Sequence, residues 1–120
     1  MKYALLIHEG ETYWSEAPRE ELGQMMAGYA AFGERNADAI VDGAALKPSQ
    51  TATTVRVRDG ERLLTDGPFA ETREQFGGYY VVDVPDLDAA LELAAQIPGA
   101  ETGGVEVRPV MEFDQSGMPA

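Results

Sequence analysis

Two short segments of the chain, residues 2–8 and 79–84, are apolar on both faces of a predicted β-strand. Successive side chains of a strand point to opposite faces, so each of these segments has two faces to bury. The alternating sets are Tyr3, Leu5 and Ile7 against Ala4 and Leu6, and Tyr80, Val82 and Val84 against Tyr79 and Val81. The fold must therefore cover both sides of its central strands.

The patterns between and around these segments predict an α+β domain. Two stripes of apolar residues at three- and four-residue spacing predict helices, and the second helix is capped by Asp86 and ended by Pro98-Gly99. The stripes are Leu22, Met25, Met26, Tyr29 and Phe32, then Leu87, Leu91, Ala94 and Ala95. A period of two on either side of Asp59-Gly60 predicts a hairpin. With further strands over 40–47 and 105–113, the order predicts a ferredoxin-like sandwich of an antiparallel sheet with two helices.

Two helices cover only one face of such a sheet. The other face would expose Tyr, Val and Leu side chains as a large apolar patch. We therefore expect a homodimer formed through the sheet face, the alternative being that the tail and long loops cover it. Residues 1–113 are predicted to form the domain and residues 114–120 a flexible C-terminal tail.

Composition limits the classes of function. With 21 acidic and 9 basic residues the net charge is −12, which makes nucleic acid and anionic membranes poor partners. No apolar run is long enough to span a bilayer or form a signal-peptide core, so a cytoplasmic location is expected. The chain has no cysteine, one histidine and no phosphate-binding loop, and we expect neither a metal nor a nucleotide cofactor.

His8 is the one side chain expected to titrate near neutrality, and it ends the first predicted strand beside Glu9. It is a candidate general acid or base oriented by a carboxylate. The alternative is a hydrated histidine at the end of a strand.

The connection over residues 66–78 gathers acidic, basic and amide side chains on what is predicted to be a loop, where binding sites are common. Asp66 is either a catalytic carboxylate or a turn former. Arg73 either binds a ligand carboxylate through its guanidinium or forms a surface ion pair with Glu71 or Glu74. Gly77-Gly78 would let the loop fold back over a pocket. Aromatic residues that could line this pocket are Phe76, Tyr79 and Tyr80, with Tyr13 and Trp14 either at its mouth or packed under a loop.

The stretch 65–80, TDGPFAETREQFGGYY, resembles the DGPF branch of the YCII-related proteins. The resemblance covers residues 1–113. It includes MKYALLI at the start, GAALKP from Gly43, TATTVR from Thr51, VPDLDAA from Val84, Ile97-Pro98, and VEVRPV from Val105.

The resemblance implies a dimeric α+β barrel, in which two ferredoxin-like sheets pack face to face. The wider YCII group contains suspected enzymes with a His-Asp pair as acid and base, a dehydrochlorinase among them. Only Asp66 matches a motif position, because the group's histidine resembles one in the first helix and residues 18–35 contain none. DGPF members often lie beside genes for extracytoplasmic-function sigma factors, which implies a regulatory accessory role.

Two functions are therefore predicted as alternatives. The first is a small-molecule-binding protein with a pocket near the DGPF sequence, or a lyase- or hydrolase-type enzyme using that pocket. Asp66 and His8 would be catalytic, while Arg73, Phe69 and Tyr80 would bind a small anionic or aromatic ligand. The second is a non-catalytic dimeric accessory protein linked to an extracytoplasmic-function sigma factor.

Overall fold

The computed structural model describes residues 1–10 and 12–120. The strands are β1 (Lys2–Gly10), β2 (Ile40–Ala45), β3 (Thr53–Arg58), β4 (Glu61–Asp66), β5 (Glu74–Asp83) and β6 (Gly104–Pro109). The helices are α1 (Tyr13–Glu16), α2 (Arg19–Arg35), α3 (Leu87–Gln96) and α4 (Gly99–Thr102), and Ser49–Thr51 form a 3-10 turn. None of the helices in the described residues is long and apolar enough to cross a membrane.

Four strands form one antiparallel sheet in the order β2-β5-β1-β6. The two segments that are apolar on both faces, in β1 and β5, are its central strands, with Leu5 opposite Tyr80. The predicted α+β fold, with an antiparallel sheet and two main helices, is confirmed.

The helices cover one face of this sheet. Tyr3, Leu5 and Ile7 of β1 are buried there in a cluster with Phe32 of α2 and Leu93 of α3. The principal dimensions are 48 × 42 × 19 Å, and the smallest matches one helix layer on one sheet, at about 10 Å for each layer. No second layer of helices lies on the other face among the described residues.

The stripe of α3 differs from the prediction. Leu87 and Leu91 remain 47% and 46% exposed. Ala94 is buried as predicted, together with Ala90, Leu93 and Ile97, and these residues have helical spacing and face β1 and β6. Two apolar stripes overlap in this alanine-rich helix, and the one that packs against the sheet is the stripe that ends at Ile97. The cap is confirmed, because the Asp86 carboxylate accepts a hydrogen bond from the Ala89 backbone N–H at 2.9 Å.

The predicted hairpin is confirmed. Asp59 and Gly60 both have positive φ, at 52° and 77°, as a two-residue turn between twisted strands requires. β3 and β4 form a separate two-stranded sheet in which Val55 lies opposite Leu64. Both of these side chains are 57% exposed.

The connection before β5 is shorter than predicted. β5 begins at Glu74, so Gly77 and Gly78 lie within the strand and the prediction that they let a loop fold back is wrong. β2 and β5 approach closely here, since a Cβ on Gly78 would lie 2.9 Å from the Ala44 carbonyl oxygen. Glycine at this position therefore permits strand pairing.

The C-terminal residues form a turn of their own. The Asp114 carboxylate accepts hydrogen bonds from the Ser116 N–H and hydroxyl and from the Met118 N–H. These bonds hold the pKa of Asp114 below its ordinary value. Phe113 forms a β-bridge with Pro119.

Candidate ligand-binding pocket

A cavity of about 520 Å³ opens on the helix-covered side of the sheet, at the end of β1. The ends of β1 and β5 form its floor, α1 and α2 one wall, and the segment from β2 to the 3-10 turn the other. We call it the Glu9 cavity after the charged side chain at its base. Its volume lies within the range of about 300–1,000 Å³ that is usual for small-molecule sites.

The alternation of side chains along β1 places Glu9 at the base of the cavity. Glu9 follows Tyr3, Leu5 and Ile7 on the helix-facing side of β1 and is only 6% exposed. A register shift in the pairing of β1 with β5 follows Ile7, and Glu9 then lies opposite Gln75. A Cβ on Gly77 would lie 3.4 Å from Glu9 Oε2, so this glycine leaves room for the carboxylate.

Two neutral donors hold the Glu9 carboxylate. The Trp14 indole Nε1–H donates to Oε2, and the Tyr29 hydroxyl donates to Oε1 at 3.4 Å. Burial, and then the negative charge of Glu9, raise the pKa of Tyr29 far above its usual range. Tyr29 therefore remains a protonated donor at physiological pH.

No positive side chain among the described residues forms an ion pair with Glu9. Lys47 lines the cavity but is exposed to solvent. A buried charge without a partner of opposite sign is costly, so such groups are uncommon outside functional sites. The carboxylate can accept a proton, a hydrogen bond or a cationic group from a molecule in the cavity.

The other walls are mainly apolar. Met26 from α2 and Leu46 and Pro48 after β2 line the cavity. Ser49 is also part of the lining, and its hydroxyl is buried without a hydrogen-bond partner among the described residues. The cavity thus combines an apolar body with a few polar groups, as ligand sites do.

Of the residues predicted for a site, Tyr80 lines the cavity. Trp14 also lines it. Burial raises the pKa of Tyr80 above its ordinary value.

His8 lies on the opposite face of β1 from Glu9. Its ring packs against Phe76, with centroids 5.7 Å apart, and its Nε2 lies 3.4 Å from Glu106 Oε1. That distance suits an ion pair when the imidazole is protonated, but the atoms lack hydrogen-bond geometry and Nε2 has no other partner among the described residues.

Asp66, Phe69 and Arg73 lie outside the cavity lining. Asp66 ends β4 in the separate hairpin, and no hydrogen bond joins it to His8 among the described residues. Phe69 is 77% exposed and lies under the Arg56 guanidinium, 5.1 Å from the ring centroid. Arg73 is exposed and forms no ion pair with Glu71 or Glu74. One chain therefore does not bring the five predicted residues together.

Sequence reasoning missed Glu9 and Tyr29 as site residues. Tyr29 belongs to the apolar stripe of the first predicted helix, and the polar residues after His8 end the predicted strand before Glu9. The sequence does contain one indication of this position. Glu9 continues the alternate positions Tyr3, Leu5 and Ile7, so a strand that extends to Gly10 places its carboxylate on the same buried face.

No group of three or more His, Asp or Glu side chains suited to a metal ion occurs among the described residues. The polar groups of the Glu9 cavity are one carboxylate, the exposed Lys47 ammonium, and hydroxyl, indole and amide groups. They match the hydrogen-bonding groups of an organic molecule better than the ligand set of a metal ion.

The protein-family model of the YCII-related domain matches residues 1–114 of the chain. An uncharacterised protein of Rhizobium meliloti (strain 1021) is 36% identical over 124 residues, covering 100% of each chain. These similarities extend over both the sheet and the Glu9 cavity, and they show that the chain belongs to the YCII-related domain family.

Proposed function

We propose that the protein binds a small organic molecule in the Glu9 cavity. The observation that carries this proposal is the Glu9 carboxylate, 6% exposed at the base of a cavity of about 520 Å³, whose hydrogen-bond donors among the described residues are Trp14 and Tyr29. A core residue would be apolar here, because burying a carboxylate costs free energy that neutral donors only partly offset. The Ser49 hydroxyl, which has no hydrogen-bond partner among the described residues, adds a second polar group for a ligand.

The same geometry supports acid–base chemistry on the bound molecule. A carboxylate in a cavity can take a proton from a ligand atom within hydrogen-bond distance, and the Tyr29 hydroxyl is an adjacent donor. We therefore propose Glu9 as the general base of a lyase- or hydrolase-type reaction. The roles predicted for His8 and Asp66 are separate proposals, tested by His8→Gln and Asp66→Asn once an activity has been measured.

Trp14 provides the test, because it is the only tryptophan of the chain and its indole N–H donates to Glu9. The measurement is a screen of neutral, cationic and anionic fragments, followed by the ¹H–¹⁵N signal of the Trp14 indole and by its fluorescence. We expect fragments that bind to shift the indole signal in a saturable manner. A screen whose hits shift only signals of β3, β4 or β6, or one without hits, would refute the proposal.

A second candidate function, a non-catalytic dimeric accessory protein, is favoured by the uncovered sheet face. That face carries Ala4 and Leu6 of β1 beside Tyr79 and Val81 of β5, with Phe76 39% exposed at its edge. We propose that two chains pack these faces together in a dimeric α+β barrel, which is compatible with a ligand in the Glu9 cavity on the other side. The Asp66-Gly67-Pro68-Phe69 sequence supports placement in the DGPF branch.

A further inference from the structure

We propose that the ligand of the Glu9 cavity is an organic cation, a protonated amine that carries an apolar group. This inference rests on the proposed function, since it names the chemical class of the molecule that occupies the same cavity. Three observations carry it: the charge at the base of the cavity, the aromatic residues that line the same cavity, and the exposure of the one positive side chain in the described lining.

The first observation is the uncompensated charge of Glu9. Its two protein partners, Trp14 and Tyr29, are neutral donors, and no ion pair reaches it among the described residues. An ammonium group supplies both a hydrogen bond and the missing positive charge. Hydrogen bonds in which both partners are charged are shorter and stronger than neutral ones.

The second observation is the lining around the carboxylate. Trp14, Tyr29 and Tyr80 all line the cavity together with Glu9. The faces of aromatic rings attract cations, most strongly when water is excluded. Met26 and Leu46 provide apolar surface for the uncharged part of the ligand.

The third observation disfavours an anionic ligand. The one lining side chain that is positively charged, within the described part of the chain, is Lys47, and it is exposed to solvent, where charge interactions are weak. An anion at the base would instead face Glu9. The net charge of −12 also attracts cations to the protein and repels anions. The anionic ligand expected from Arg73 has no support here, because Arg73 does not line the cavity.

The experiment compares three probes of nearly equal size and shape: 2-phenylethylamine, 2-phenylethanol and 3-phenylpropionate. Their dissociation constants at neutral pH are measured by titration of the Trp14 indole signal. We expect the amine to bind roughly 10-fold more tightly than the alcohol, because both donate a hydrogen bond to the Glu9 carboxylate but the ammonium also brings a positive charge. The carboxylate should bind most weakly.

Glu9→Gln tests whether this preference arises from the carboxylate. We expect the variant to bind amine and alcohol with similar affinity. Glu92→Gln is the matched control, because Glu92 is an exposed residue of α3 outside the cavity and its substitution changes the net charge equally. It should keep the preference of the wild-type protein.

The outcomes separate this inference from the proposed function. Alcohol or carboxylate binding at least as tightly as the amine, with the indole signal shifted, would overturn the cationic ligand and leave the cavity as a binding site. An amine preference that survives Glu9→Gln would also overturn it. Failure of every probe and of the wider fragment screen would overturn both. If Glu9→Gln fails to fold, the relative affinities of the three probes for the wild-type protein still show whether the cavity prefers a cation.

Discussion

Gly99→Ala adds a single methyl group behind the Glu9 cavity, where the structure leaves no space. A Cβ on Gly99 would lie 2.7 Å from the Tyr29 hydroxyl oxygen, 2.9 Å from Ile7 Cγ2 and 3.2 Å from Glu9 Oε1. All three distances are shorter than ordinary van der Waals contacts of a methyl group, so all three groups must move. The substitution therefore tests whether Glu9 and Tyr29 are held as described.

The expected cost is that of overpacking a filled interior, about 1–3 kcal/mol. The preference of helices for alanine over glycine offsets at most about 1 kcal/mol of this, and less at the first position of α4. We expect a net destabilisation of roughly 1–2 kcal/mol, which lowers the melting temperature by roughly 3–10 °C in a domain of this size. Urea unfolding followed by Trp14 fluorescence measures it.

A second substitution identifies the clash. Tyr29→Phe removes the hydroxyl oxygen that the new methyl group would meet at 2.7 Å. Alone it should cost about 0.5–1.5 kcal/mol for the lost hydrogen bond to Glu9. In the Gly99→Ala background it should cost less or be favourable, with a coupling of about 1 kcal/mol in the double-mutant cycle.

Gly33→Ala is the matched control, because nothing lies within 4 Å of its Cβ position in α2. It should stabilise the protein by up to about 1 kcal/mol. The reasoning fails if Gly99→Ala unfolds at the same urea concentration as the wild type, or if the two substitutions at Gly99 and Tyr29 are additive.

Three further predictions concern the cap, the tyrosines and the sheet face. Asp86→Ala removes the hydrogen bond to Ala89 N–H and should destabilise the protein by about 0.5–2 kcal/mol in urea unfolding, whereas an unchanged midpoint would contradict the cap. Burial raises the pKa of Tyr29 and Tyr80 above the ordinary value of about 10, so the unfolded chain loses these protons first as the pH rises. The contribution of these tyrosines to the free energy of unfolding should thus be fully present below about pH 10. Above that pH the free energy of unfolding should fall by up to ~1.4 kcal/mol per pH unit for each tyrosine. The fall should be less steep in Tyr29→Phe, and an equal slope in that variant would contradict this explanation. Leu6→Asp places a charge on the uncovered face and should give a 13.0 kDa species in sedimentation where the wild type and Leu91→Asp give twice that mass; a wild-type monomer would refute the dimer.

The parts of the fold that could be predicted are those fixed by local chemistry. Asp59-Gly60 specifies its turn because few residue pairs tolerate two positive φ angles. Asp86 specifies the start of α3 because its carboxylate reaches the backbone N–H of Ala89. The order of strands and helices followed from such signals and from hydrophobic spacing.

The parts that could not be predicted depend on distant contacts. Residues 74–78 contain two glycines and two polar residues, yet they form a strand because β1 and β2 pair with them. This pairing also sets the length of β1 and so places Glu9 on the buried face. The cavity arises only where α2 brings Tyr29 to that carboxylate, 20 residues away in sequence.

The most direct test of the account is a crystal structure of the protein with the tightest-binding amine of the probe series. The account predicts that its nitrogen lies within hydrogen-bond distance of a Glu9 carboxylate oxygen, with its apolar group against Trp14 and Tyr80. Density for the amine beside His8, Asp66 or Arg73, with the Glu9 cavity free of it, would contradict the central claim.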